Sequence, residues 1–171
     1  MTNPHLLSGL GASLAMFLSA AGSSMASVPA GLMAQHAVGF TAWAPVIISG
    51  VLAIYGCIIG VIVSHNIMND DMTEAQGFRN FAAGLAVGLT CLASGMGIAK
   101  YTAGYMKLHY AKQERRPSEN NTDGGLTDGL ISSDFSKPLI VGWRFLCVLV
   151  FLEAIGLYGL IVALLLSSNQ K

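Results

Sequence analysis

Charge is what this sequence has least of. Only 11% of its 171 residues are Asp, Glu, Lys or Arg, against about 25% in an ordinary soluble domain. No acid or base occurs from Met1 to Asn69 or from Asn80 to Ala99, and Glu153 is the single exception between Phe145 and Gln170. Runs of this length exclude an ordinary soluble domain. Nine Lys and Arg balance nine Asp and Glu, so the zero net charge points to neither a nucleic-acid partner nor an acidic substrate. Cysteine is also scarce. Cys57, Cys91 and Cys147 fall in three different apolar stretches with no CxxC spacing, which offers neither a disulfide framework nor a zinc site and leaves them as expected small packing residues. His5, His36, His65 and His109 have no metal-ligand spacing, so no metal is expected. Nucleophile–base pairs, phosphate loops and nucleotide motifs are missing too, so ATP chemistry is not expected in this chain. "MTNPHLL" lacks a basic n-region, and the first apolar segment is expected to remain in the mature protein.

What is present is hydrophobic: 53% of residues, with a mean hydropathy of +0.60. A bilayer core of about 30 Å needs roughly 20 helical residues, so the first uncharged run accommodates two spans and the other two runs one each. The expected fold is an all-α membrane protein with four transmembrane helices, near Leu6–Met33, Ala44–Ile67, Phe78–Tyr105 and Leu139–Ser167. Residues 1–68 then form a first hairpin, 69–79 a polar turn, and 80–171 a second hairpin. The second hairpin carries a long loop at about 106–138, rich in Gly, Ser, Asn and Asp. Seven of the nine basic residues lie between Lys100 and Arg144. The positive-inside tendency puts that region, and with it the 34–44 loop, in the cytosol and both termini in the lumen. The stretch "KYTAGYMKLHYAKQERR" reads as an interfacial continuation of the third helix.

The sequence repeats itself. At an offset of 103, Tyr55, Gly56, Gly60 and Ser64 match Tyr158, Gly159, Ala163 and Ser167; at an offset of 73, Gly11, Gly22 and Ala26 match Gly84, Gly95 and Ala99. A duplicated two-helix hairpin is the expected origin. Helices one and three carry small residues at helical spacing, Gly11, Ala15 and Gly22 in one and Gly84, Gly88 and Gly95 in the other. Such stripes let backbones approach where van der Waals packing drives association.

Glu153 stands alone. A charged side chain at mid-bilayer costs at least ~2.5 kcal/mol on the most lenient scales, and the nearest base in its span, Arg144, is nine residues away, about 13 Å along a helix. The group is therefore expected to sit protonated against lipid or a dry helix contact, and to exchange its proton only where water or a cation reaches it. Its counterpart in the first hairpin is Gly50, so one half keeps the acid and the other lacks it. Ser49, Gly50, Val51, Thr90, Cys91 and Ser94 supply no Asn or Gln cluster for a sodium ion, which favours protons as the carried species. The residues expected to support the carrier are Gly50, Tyr55, Gly156, Tyr158 and Gly159.

The string "FLEAIGLYGLIVALLLS" resembles the last helix of the V-type ATPase proteolipid family, and "APVIISGVLAIYGCIIGVIV" is similar to its second helix; the likeness extends over all four spans. The resemblance implies a ring of proteolipid copies and paralogues in the membrane sector of a rotary ATPase, in vacuolar, lysosomal or other acidic endomembranes. Helices one and three would line the ring's inner wall and helices two and four its outer wall. Glu153 would carry protons, with no cofactor. The implied partners are a stator subunit a that supplies an arginine and two half-channels, and central-stalk subunits of the subunit d type on the cytosolic face. ATP would be hydrolysed in the separate soluble sector. The acid in the second hairpin matches the c or c-prime type. The uncharged "AQHAVGFTAW" loop and the long Lys100–Pro138 region depart from the family pattern. A tetraspan structural or junctional protein is the rival reading, and it leaves Glu153 without a purpose.

Overall fold

The computed structural model describes residues 3–36, 40–68, 72–114 and 142–168. They form four long helices, α1 (Pro4–His36), α2 (Ala44–Ile67), α3 (Glu74–Glu114) and α4 (Trp143–Ser168), with a short 3₁₀ turn at Phe40–Trp43 before α2. All four are long and apolar enough to cross a membrane. Pro4 opens α1 and Pro45 stands in the first turn of α2, where a missing N–H costs nothing. α3 begins four residues earlier than the apolar pattern alone suggests. Thr73 and Gln76 form a reciprocal cap there, the Thr73 N–H donating to Gln76 Oε1 at 2.9 Å and the Gln76 N–H to Thr73 Oγ1 at 3.4 Å. This is the T-x-x-Q capping box.

At its other end α3 runs on to Glu114, so residues 106–114 are helical, as the reading of residues 100–116 as a continuation of the third helix expects and contrary to a loop that begins at 106. At 41 residues it measures roughly 60 Å, about twice the hydrocarbon thickness. Aromatic contacts hold this extension against its neighbours. Tyr101 and Tyr105 lie on Phe145 of α4, with ring centroids 5.0 and 4.6 Å apart, and Tyr110 meets His36 at the end of α1, 6.5 Å between centroids. α4 is described from Trp143, residues 139–141 of the expected fourth span lying outside the described residues, and Ala34–His36 belong to α1 rather than to a loop. The remainder of the expected long loop, with Asn120, lies outside the described residues.

Contacts define the topology. Ser27 meets Ser49 at 3.0 Å and Gly60 lies on Met16, so α1 and α2 are antiparallel. Tyr55 reaches Glu153 and Asn66 reaches Ser167, so α2 and α4 are parallel. α1 and α3 are also parallel and approach most closely. A methyl added at Gly84 would overlap the Gly11 carbonyl oxygen, one at Gly95 the Gly22 carbonyl, and one at Gly22 would stand 2.5 Å from the Cys91 carbonyl oxygen. Only the absence of Cβ permits this approach. A buried polar pair adds to it: Asn80 Nδ2 donates to Ser8 Oγ at 3.1 Å, both residues being fully buried.

These contacts correct the register of the first repeat. Gly11 and Gly84, and likewise Gly22 and Gly95, face each other, so they are contact partners and do not occupy corresponding places. Corresponding places are found through the other helix of each hairpin. Gly56 of α2 rests on Ala15 and Ser19 of α1, and Gly159 of α4, its match at an offset of 103, rests on Thr90 of α3. The Ser19 side chain stands nearest the Cβ position of Gly56, as the Thr90 side chain does at Gly159, so Ser19 corresponds to Thr90, an offset of 71. In that register Ala12, Leu14, Ala15, Leu18, Ser23 and Met25 match Ala83, Leu85, Ala86, Leu89, Ser94 and Met96. A slip of two residues turns a helix face by about 200°, which is why the distinction matters. The cysteines divide as well: Cys91 is buried in the α1–α3 core, whereas Cys57 and Cys147, expected to pack, point outward.

Candidate functional site

Glu153 lies in the middle of α4, half-buried where α4 meets α2 and α3. The Tyr55 hydroxyl, on the buried face of α2, donates to Glu153 Oε1 at 3.0 Å. Glycines bring the helices this close. At Gly156, one turn beyond the acid, a methyl would come within 2.8 Å of Leu52 Cδ2 and 3.8 Å of both Cys91 Sγ and the Tyr55 ring. At Gly159 it would overlap the Thr90 side chain.

A second tether was not legible in the sequence. Ser94, fully buried on α3, donates from Oγ to the backbone carbonyl of Leu152 at 2.7 Å, the residue directly before the acid. Two hydroxyls nearby turn back onto their own helix: Thr90 bonds the Ala86 and Val87 carbonyls at 2.9 and 3.0 Å, and Ser49 the Val46 carbonyl at 2.8 Å. α4 is thus held beside Glu153 through its backbone by α3 and through its carboxyl by α2. Nothing in the spacing of Ser94 sets it apart from an ordinary small packing residue.

Two of the residues expected near the acid stand elsewhere. Gly50 is exposed, with nothing within 4 Å of where its Cβ would be, and Tyr158 is 66% exposed on the outer face. Of the small-residue stripe, Gly11 and Gly22 of α1 with Gly84, Gly88 and Gly95 of α3 lie in the α1–α3 contact, and Ala15 faces α2. Gly88 packs on Leu18, and Ala15 is fully buried with its carbonyl against Gly56.

Chemically, the site is one carboxyl with one hydroxyl donor at the half-buried edge of the helix bundle. A tyrosine hydroxyl can donate to a carboxyl oxygen whether or not the acid carries its proton. The arrangement therefore tolerates both states of the group without repacking. Among the described residues, His, Cys, Asp and Glu do not gather in any group of three that could hold a metal ion.

No protein-family model matches the chain. Individual proteins do. The chain is 32% identical over 168 residues to the V-type proton ATPase 16 kDa proteolipid subunit c of Homo sapiens, covering 94% of this chain and 90% of that protein. It is 31% identical over 167 residues to V-type proton ATPase subunit c' of Candida glabrata, covering 93% and 85%. Over 127 residues it is 33% identical to subunit c' of Saccharomyces cerevisiae, covering 73% and 61%. With a lone acid set among four apolar helices and likeness of this extent along nearly the whole length, the chain belongs to the V-type proton ATPase proteolipid family.

Proposed function

We propose that this chain is a proton-carrying subunit of the rotor ring in the membrane sector of a V-type ATPase, and that Glu153 is the carrier. The observation that carries the reading is the Tyr55–Glu153 pair, a single carboxyl in an apolar span whose one hydrogen-bond donor among the described residues comes from the other hairpin. In the lipid-facing state the protonated acid is neutral and Tyr55 holds its Oε1. At a stator subunit a the side chain swings off Tyr55, loses its proton to a watery path leading to the lumen, and is recharged from the cytosol. ATP hydrolysis in the soluble sector turns the ring through central-stalk subunits. The chain itself catalyses nothing.

The oxygen count favours protons over sodium. Tyr55 is the one hydroxyl bonded to the carboxyl, and the Ser94 hydroxyl is turned to a backbone carbonyl, whereas a bare cation needs several oxygen ligands. The ring is supported by the way the hairpins relate. In the offset-71 register, the face of α1 that meets α3 and the face of α3 that meets α1 lie on opposite sides of corresponding helices, so one hairpin passes to the next by rotation. A contact of that head-to-tail kind forms a ring when the rotation closes. Residues 1–68 and 80–171 then act as two hairpins of one rotor unit, with 69–79 luminal, 34–44 and 106–138 cytosolic, in a vacuolar, lysosomal or other acidic membrane.

A hydrophobic carbodiimide, which attacks protonated carboxyls in apolar settings, tests the carrier. Glu153 is expected to be the labelled residue, with proton pumping lost in proportion to labelling. Absence of labelling, or labelling with pumping intact, would return the chain to a structural tetraspan role. Orientation has an independent check. Asn120-Asn121-Thr122 is a formal glycosylation acceptor and is expected to stay bare on the cytosolic side, as judged by an unchanged gel mobility after glycosidase treatment. A glycan there would invert the proposed topology.

A further inference from the structure

Leu152, directly before the acid, is gripped by α3 in two ways. The fully buried Ser94 hydroxyl donates to its carbonyl at 2.7 Å, and an added Cβ at Gly97, about one turn further along α3, would stand 3.0 Å from its Cδ2. A carbonyl has two lone pairs, so this one accepts from Ser94 while keeping its place in the α4 ladder, where its partner is the N–H four residues on, at Gly156. The same carbonyl belongs to the planar peptide unit that ends at the Cα of Glu153. Ser94 therefore holds the plane from which the carboxyl side chain departs.

The first hairpin supplies a comparison within the chain. At offsets of 71 for α1 and α3 and 103 for α2 and α4, Ser94, Gly97, Leu152 and Glu153 correspond to Ser23, Ala26, Ser49 and Gly50. The serine is present in both halves. Yet among the described residues the Ser23 side chain makes no hydrogen bond to α2, and the two helices are joined there by the hydroxyls of Ser27 and Ser49, 3.0 Å apart. Ala26, fully buried, stands where α3 has Gly97. The backbone tether thus occurs in the hairpin that carries the acid and is missing from the one that does not.

We infer that Ser94 is a positioning residue for the carrier: its bond to the Leu152 carbonyl sets the height and rotation of α4 at which the Glu153 carboxyl meets the Tyr55 hydroxyl, and so the hold that Tyr55 keeps on the acid. Gly97 leaves the gap through which Ser94 reaches. The inference rests on the carrier reading above and adds to it a residue that never touches the carboxyl.

The rate at which a hydrophobic carbodiimide labels Glu153 measures that hold, in native membranes and at equal amounts of assembled complex. A carboxyl released from Tyr55 is open to the reagent, so Ser94→Ala is expected to raise the rate about five-fold, the scale of one ordinary hydrogen bond. Ser94→Cys fills the same space with only a weak donor and is expected to do the same, which separates the bond from a cavity. In a Tyr55→Phe background the carboxyl has no hydroxyl to lose, and Ser94→Ala is expected to add nothing. Equal acceleration in both backgrounds would mark a general loosening of α4 and overturn the inference. An unchanged rate in both Ser94 variants overturns it and leaves the carrier standing, whereas no labelling of Glu153 in the unaltered protein overturns both. Loss of assembly in both variants would show Ser94 to be structural alone, and overturns it too.

Discussion

Glu153→Gln is expected to abolish ATP-driven acidification while leaving the assembled complex in normal amount. Glutamine has the shape of the acid, and its Oε1 accepts from the Tyr55 hydroxyl as the carboxyl does, so the one cross-hairpin bond at the site survives. Packing survives with it, because Gly156 and Gly159, which set the approach of α4 to α2 and α3, are untouched. What is lost is the ionisable proton. With no other Asp or Glu between Phe145 and Gln170, no neighbour on α4 can substitute, and the pumping rate falls to background. The measurement pairs vesicle acidification with the quantity of intact complex. Acidification at the native rate by a normally assembled Glu153→Gln protein would refute the carrier outright.

The second large effect is on folding. Gly95→Val is expected to remove the chain from the membrane, because its Cβ alone would overlap the Gly22 carbonyl, and a backbone atom cannot change rotamer to give way. Overpacking a core commonly costs about 1–3 kcal/mol; here the obstacle is the neighbouring helix itself, and separating α1 from α3 would forfeit the closest contact in the molecule. Gly104→Ala is the control. Nothing lies within 4 Å of its Cβ, and alanine gains up to ~1 kcal/mol of helix propensity, so the amount of full-length protein should be unchanged or raised. Equal loss for both variants would show that helix-wide effects, not the Gly22–Gly95 approach, decide stability.

Much of this was legible because charge is so expensive in lipid. Three uncharged runs imply four spans, and one acid among them stands out without any structure. Ends were harder. The start of α3 is set by the Thr73–Gln76 cap, a local signal hidden inside a polar turn, and its later turns are joined to α4 by aromatic packing of Tyr101 and Tyr105 on Phe145. The repeat register misled for a physical reason: stripes of Gly, Ala and Ser match one another at several offsets, and only the contacts of Gly56 and Gly159 with the opposite helices separate partner from counterpart. Tyr55 could be named as a neighbour of the acid, yet its bond spans 98 positions and belongs to folding, not to spacing. Ser94 left no mark, since a hydroxyl that donates to a distant carbonyl looks like any other small residue.

In the proposed ring, the lack of an acid at Gly50 would set a gear ratio. Only every second outer helix would bear a charge carrier, so a full revolution would move half as many ions as the same circle of helices could hold. The free energy delivered per revolution by a soluble motor would be divided among fewer ions, and each could be driven against a steeper gradient. A glycine at that position would thus trade throughput for the depth of acidity such a ring could reach.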